Sequence, residues 1–245
     1  MSDIKRAMIL AAGLGTRMAP LTLEKPKPLV ELKGKPLIDH CIDRLVRSGI
    51  NFIVVNVHYK AEQIIAHIEK RQAREKNVEF RISDERDAIL ESGGGIARAL
   101  SLFNGEPFFT YNSDSLWVEG MGSAIARMKA RWNPEGMDSL MLLAPCTTAI
   151  GYDDRGDFLM DAFGVLKRRP EMAVAPFVWT GLQIIHPRLF DGAPTGRFSI
   201  NPLWDKAIAK DRLCGVRLDG TWIHVGTPQG LQDAESFLGD LVREP

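Results

Sequence analysis

The sequence predicts an α/β protein whose mostly parallel sheet carries helices on both faces. Three observations lead there: short runs that are apolar at every residue, amphipathic stretches of helical spacing between them, and glycine-rich turns where the runs end. A strand covered on both faces reads as a continuous apolar run, and alternation of such runs with helices builds βαβ units.

Ala7–Leu10 is the first buried strand. The segment "PLIDHCIDRLVRSG" follows with Leu37, Ile38, Cys41, Ile42, Leu45 and Val46 at helical spacing. Pro36 at its start and Gly49 past its end mark a helix. "FIVVNV" (52–57) is a second buried strand, "AEQIIAHIEKRQAR" (61–74) an amphipathic helix, and "VEFRI" (78–82) alternates as a strand. Gly93-Gly94-Gly95 then leads into a helix over "IARALSLF", and "PFFTYN" (107–112) is a further strand. The alternation holds to residue 145. Beyond it, "SLMLLA" (139–144), "FVWTGLQII" (177–185) and "CGVRL" (214–218) read as strands, and 200–210 and 228–242 as helices. Residues 146–157 and 168–176 read as loops over a site or a surface. With no long linker, the chain is expected to be one domain, 1–245, made of a first half (1–145) and a second (146–245).

Lys and Arg balance Asp and Glu at 31 each, which disfavours a dedicated nucleic-acid binder. Cys41, Cys146 and Cys214 are odd in number and widely spaced, so neither a disulfide framework nor a structural zinc is expected. Lys5 and Arg6 precede only six apolar residues, Ala7 to Ala12, short of the roughly 7–15 of a signal core. No stretch reaches the roughly 18 apolar residues of a membrane span. A soluble cytoplasmic protein is expected.

The first strand ends in Gly13-Leu14-Gly15-Thr16-Arg17, with Pro26-Lys27-Pro28 close behind. Glycines after a buried strand suit either a tight turn or a phosphate cradle of backbone N–H groups at the carboxyl edge of the sheet. On the residues alone both readings stay open. The dinucleotide fingerprint fails because position 18 is Met, and no G-K-[ST] triplet occurs. What remains is a loop with its own cations. Arg17 has the planar fork that suits phosphate oxygens, and Lys27 is clamped between two prolines whose φ is fixed at about −65°.

The pattern L-A-A-G-x-G-T-R-M, followed by P-L-T and P-K-P, resembles the sugar-1-phosphate nucleotidyltransferase family along essentially the whole chain. Further segments, "PLIDH", "SGGGI", "GDF", G-x-x-x-x-H-P ending at Pro187, and "VGT", are most like the short bacterial N-acetylmuramate-1-phosphate uridylyltransferases. Mannose-1-phosphate guanylyltransferases are the neighbouring group. The resemblance implies a Rossmann-like, glycosyltransferase-A-like fold with a mixed, mostly parallel sheet. It also implies transfer of a nucleotidyl group from UTP to a sugar 1-phosphate with Mg²⁺, or Mn²⁺, and release of pyrophosphate. Cell-wall sugar recycling would be the setting.

By that resemblance Ala12, Gly13, Gly15, Thr16, Arg17, Lys27, Gly93, Gly94 and Asn112 would bind the nucleotide. Asp157, Thr180 and Gly181 would line the sugar-phosphate pocket, and Arg17, Lys27 and Asp114 would be catalytic. Asp114, after a buried strand, is also the expected Mg²⁺ ligand, since that ion prefers oxygen donors. His224 stands where many members have a second acidic ligand. Imidazole suits softer metals better, so three readings stay open: Asp114 acts with phosphates alone, His224 touches phosphate or Mn²⁺, or catalysis is weakened. Asp219 is a candidate to compensate, and His58 a candidate cleft residue. An N-acetylmuramate substrate carries a lactyl carboxylate, for which Arg155, Lys167, Arg168, Arg169 and Arg197 are candidate cations. A non-catalytic nucleotide-sugar sensor is the rival reading from another class, and a dinucleotide-dependent oxidoreductase a distant third.

Overall fold

The computed structural model describes residues 3–241. Thirteen strands run in chain order: β1 (Arg6–Leu10), β2 (Glu31–Leu32), β3 (Lys35–Pro36), β4 (Phe52–Val57), β5 (Glu79–Asp84), β6 (Phe108–Asn112), β7 (Ser115–Glu119), β8 (Ser139–Pro145), β9 (Phe158–Met160), β10 (Leu166–Arg168), β11 (Phe177–Ile185), β12 (Leu213–Arg217) and β13 (Gly220–His224). The helices are α1 (Leu37–Arg47), α2 (Ala61–Arg74), α3 (Glu91–Ala99), α4 (Ala124–Arg131), α5 (Asn201–Ile208) and α6 (Pro228–Leu241). The last residue of the helix predicted over 228–242 lies outside the described residues.

One mixed nine-stranded sheet spans both halves of the chain. β6, β1, β4 and β5 are neighbours in that order and parallel, β11 runs antiparallel to β6 and β8, and β12 is parallel to β8. The chain builds outward from β1 through β4 to β5, then crosses back to lay β6 on the other side of β1. That reversal puts a crevice at the carboxyl ends of β1 and β6, where open α/β sheets bind ligands.

Alternation along β1 assigns the two faces. Ala7 and Ile9 pack with Ile38, Ile42 and Leu45 of α1, Ile64 of α2 and Ile125 of α4. Met8 points the other way, to Ile96 of α3, Phe103 and Leu203 of α5. Each such aliphatic burial is worth roughly 1.5–3 kcal/mol, and both faces are dry, which is why β1 and β4 carry so few polar residues. A third small core gathers Met18, Val30, Leu32, Leu116, Ile223 and Ala234. It welds the loop after β1 and the β2–β3 hairpin to the β7–β13 pair and to α6.

The predicted strands and helices form, with three differences. The glycines Gly93-Gly94-Gly95 lie inside α3, which starts at Glu91 instead of after them. Residues between the two predicted loops fold into the β9–β10 hairpin, which also takes in Arg168. β2, β3, β7, β13 and α4 are further elements, with β13 paired to β7. No helix among the described residues is long and apolar enough to cross a membrane.

Candidate active site

The crevice at the carboxyl ends of β1, β4, β5 and β6 is a cleft of about 480 Å³. Ala12, Gly13, Gly15, Thr16, Arg17 and Lys27 line one wall, and Asn112 and Asp114 another. The loop after β1 is shaped by Gly15, whose φ of 66° is left-handed. A Cβ there would lie 3.0 Å from Thr22 Cγ2 and 3.1 Å from Lys27 Cβ. The glycine thus lets the loop fold onto the segment that carries the lysine, and the Thr22 hydroxyl donates to the Gly15 carbonyl at 3.0 Å. Buried Met18 anchors the far end, while Arg17 stays exposed, with no ion-pair partner among the described residues.

Lys27 sits between buried prolines, Pro26 and Pro28, and its ammonium donates to Asp114 Oδ2 at 2.5 Å. Asp114 occupies the turn between β6 and β7, and its carbonyl accepts from the Val225 amide at 3.0 Å. That bond and the β7–β13 ladder, which sets His224 opposite Ser115, bring His224 to Asp114. Gly226 makes room for the ring, since a Cβ there would lie 2.3 Å from Nε2. Residues from three separate segments thereby converge.

Their electrostatics are coupled. Burial pushes the Asp114 carboxyl up, but the charges of Lys27 and His224 and the Lys27 hydrogen bond outweigh it and hold Asp114 below the usual carboxylate range. Burial lowers His224; Asp114 opposes this, and Lys27 and Arg17 reinforce it. At neutral pH the pair is therefore a carboxylate beside an uncharged imidazole. Those are two donors a divalent cation could use. No group of three or more His, Cys, Asp or Glu that could hold a metal ion occurs among the described residues, so at this site phosphate oxygens and water would complete a metal's shell.

Three residues not singled out from the sequence, or only in passing, form the opposite wall. Asn56, buried near the end of β4, accepts from the Ala11 amide at 2.7 Å and donates to Glu85 Oε1 at 2.8 Å. Glu85 is only 2% exposed, and burial raises its carboxyl above the usual range. His58 Nδ1 contacts the Glu85 carbonyl at 2.7 Å. The available signal was Asn56, the one polar residue in "FIVVNV"; Glu85 was hidden among the charges of "SDERD".

Several expected site residues lie elsewhere. Gly93 and Gly94 do not line the cleft: their amides donate to the Phe198 carbonyl at 3.0 and 3.1 Å. Their close approach is to this chain's own 196–198 segment. Thr180 is fully buried and spends its hydroxyl on the Leu142 carbonyl at 2.9 Å. Gly181, with φ 88°, forms a bulge under Asn112, where a Cβ would lie 2.9 Å from Asn112 Cβ. Both support Asn112 and Ser115 from behind. Asp157 lines a second, smaller cavity and is raised by burial, which the hydrogen bond from the Trp179 amide opposes. Asp219 is at the far end of β13, where it accepts from the Met121 amide at 2.8 Å, and does not compensate at the site.

Comparison with known proteins agrees with this architecture. Residues 6–145 match the family model described as nucleotidyl transferase. An N-acetylmuramate alpha-1-phosphate uridylyltransferase of Caulobacter vibrioides is 45% identical, covering 96% of this chain and 98% of that protein. One from Neisseria meningitidis is 33% identical with the same coverage of each. Among solved structures, a UDP-glucose pyrophosphorylase complexed with UDP-glucose aligns with a TM-score of 0.77 at 18% identity, covering 97% of this chain and 99% of that one. The inositol-1-phosphate CTP transferase of T. maritima aligns at 0.79 and 15%, covering 99% and 98%. At such identities these two establish the fold alone.

Proposed function

The chain belongs to the nucleotidyl transferase family and is a sugar-1-phosphate nucleotidyltransferase, and from that premise we propose that it joins UTP to N-acetylmuramate 1-phosphate, giving UDP-N-acetylmuramate and pyrophosphate. The substrate choice rests on likeness to the two bacterial uridylyltransferases across nearly the full chain. The observation that carries the chemistry is the meeting of Lys27, Asp114 and His224, with exposed Arg17 beside them, at the reversal point of the sheet.

The attacking group is a phosphate oxygen of the sugar phosphate, mostly dianionic at pH 7 because its second pKa is about 6. It needs no general base. Oxygen attacks the α-phosphorus in line, and the bond to the departing pyrophosphate breaks. The obstacle is repulsion between anions, so catalysis comes from positioning and charge neutralisation. Backbone N–H groups of Gly13 to Thr16 would hold the triphosphate, with Asn112 on the nucleoside. Arg17 would meet the leaving pyrophosphate. Lys27, freed from Asp114 as phosphates enter, would lie between the attacking and α-phosphates. Asp114 would be the ligand for Mg²⁺, with neutral His224 a second donor that would also admit Mn²⁺. Bound there, the ion would offset charge on the phosphates.

The first half of the domain, 1–145, would serve the nucleotide and the second, 146–245, the sugar phosphate. The product would return a cell-wall sugar to its activated form in the cytoplasm. Pyrophosphate release, crossing UTP, GTP, dTTP and CTP with N-acetylmuramate, mannose, glucose and N-acetylglucosamine 1-phosphates, tests the assignment. Preference for UTP with the muramate substrate is expected. GTP with mannose 1-phosphate would replace it with guanylyl transfer, and silence despite nucleotide binding would make the protein a sensor.

A further inference from the structure

A cavity of about 220 Å³ lies beside the main cleft, and Ser92 lines both. Its walls are Phe158, Trp179 and Trp204, with Asp157, Asn201 and Arg168 supplying polar groups. The two tryptophan rings meet edge to face at 4.8 Å, and flat apolar walls with a few fixed polar groups suit a sugar ring. Of the five cations that a lactyl carboxylate could use, Arg155 and Lys167 are exposed, and Arg197 is exposed and paired with Glu91 at 2.7 Å. Arg169 turns to the Gly156 and Ala173 carbonyls. Arg168 alone of the five lines the cavity.

Its guanidinium is held rigidly. Arg168 lies 5.1 Å from the Phe158 ring centroid and 5.5 Å from that of Trp204. Nε donates to Asp205 at 2.8 Å, and Nη2 donates to the Asn201 side chain at 2.9 Å and to the Asn201 carbonyl at 3.3 Å. One edge of the fork is thus occupied, whereas Nη1 donates to no group among the described residues. Nη1 is therefore the nitrogen left to donate a charge-assisted hydrogen bond to a carboxylate oxygen. Asp205 fixes the fork but also offsets part of its charge, so the contact serves discrimination more than raw affinity.

We propose that Arg168 is the specificity-determining residue of the sugar site, receiving the carboxylate of a sugar 1-phosphate that carries an acidic ether substituent. The inference rests on the N-acetylmuramate reading above. Asp157, at the same wall, would face the sugar's neutral polar groups.

The test compares kcat/KM for N-acetylmuramate 1-phosphate, its methyl ester and N-acetylglucosamine 1-phosphate in wild type, Arg168→Lys and Arg168→Met. A charged hydrogen-bonded contact predicts that wild type favours the free acid over its ester on the order of 10- to 100-fold. Arg168→Met should collapse that ratio, and Arg168→Lys should restore part of it. A purely structural arginine would lower turnover of all three substrates together and leave the ratios unchanged, which overturns the inference. The wild-type acid-to-ester ratio needs no variant, so misfolding of Arg168→Met does not shelter the proposal: a ratio near one overturns it. Wild type that rejects N-acetylmuramate 1-phosphate overturns both this inference and the reading beneath it, whereas acceptance with an Arg168-independent ratio overturns the inference alone.

Discussion

Replacing Gly94 with alanine separates two roles for the glycine run in α3, packing and ligand binding. In the structure a Cβ at 94 would sit 2.2 Å from the Gly196 carbonyl oxygen, where ordinary contact begins at 3.4 Å. The obstacle is backbone, so the 196–198 segment has to retreat by about 1.2 Å. Retreat breaks the two bonds from the Gly93 and Gly94 amides to the Phe198 carbonyl, worth about 0.5–1.5 kcal/mol each. Overpacking adds roughly 1–3 kcal/mol, and the better helix propensity of alanine returns about 1 kcal/mol. The net expectation is a loss of about 3 kcal/mol. Urea unfolding reads it as a lower midpoint at unchanged slope. Arg197→Ala, which removes only the exposed pair with Glu91, is the control and should cost no more than about 1 kcal/mol. Wild-type stability for Gly94→Ala, together with a raised KM for the nucleotide, would show that the glycine serves the ligand and not the packing.

Arg17→Ala and Lys27→Ala should each keep the fold and lose about 10²–10³ in turnover, read as pyrophosphate release alongside an unchanged circular dichroism spectrum; near wild-type turnover would remove them from the chemistry. His224→Asp should shift the ratio of Mg²⁺- to Mn²⁺-supported turnover toward Mg²⁺, because a carboxylate is the harder donor; an unchanged ratio would place His224 outside the metal shell. Asp138 accepts from Arg188 at 2.6 Å and Arg212 at 2.8 Å. Burial pushes its carboxyl up, but the two arginines outweigh it, so its folded-state pKa is depressed. Its contribution is therefore present above the unfolded value and lost as pH falls through the folded one. Asp138→Asn should destabilise at neutral pH and flatten the acid limb of the stability profile; parallel acid limbs would contradict this.

The sheet was legible because its inner strands are dry on both faces, and a short run such as "FIVVNV", bounded by polar residues, has the length and β-branched content of a buried strand. So were the β1 loop and Asp114, each placed by the end of such a strand. What escaped depends on distant parts of the chain. Nothing local to Gly93 and Gly94 tells that the carbonyl of Phe198 will cap their amides, so glycines suited to a ligand and glycines suited to a crossing strap look alike. Thr180 follows a tryptophan in an apolar strand, and only the bulge at Gly181 turns its hydroxyl onto Leu142. The β9–β10 hairpin has three residues a side, too short for a period of two to register. His224 looked like a substitution in a motif; the β7–β13 ladder makes it a neighbour of Asp114.

The proposed reaction is a single in-line displacement at the α-phosphorus, to which Arg17, Lys27 and Asp114 would contribute with no covalent intermediate. Its most direct test is the stereochemical course of the reaction with UTP made chiral at the α-phosphorus by sulfur and N-acetylmuramate 1-phosphate as acceptor. One displacement predicts inversion in the nucleotide sugar. Retention, or radiolabel from the α-phosphate found attached to the protein, would rule out a single displacement.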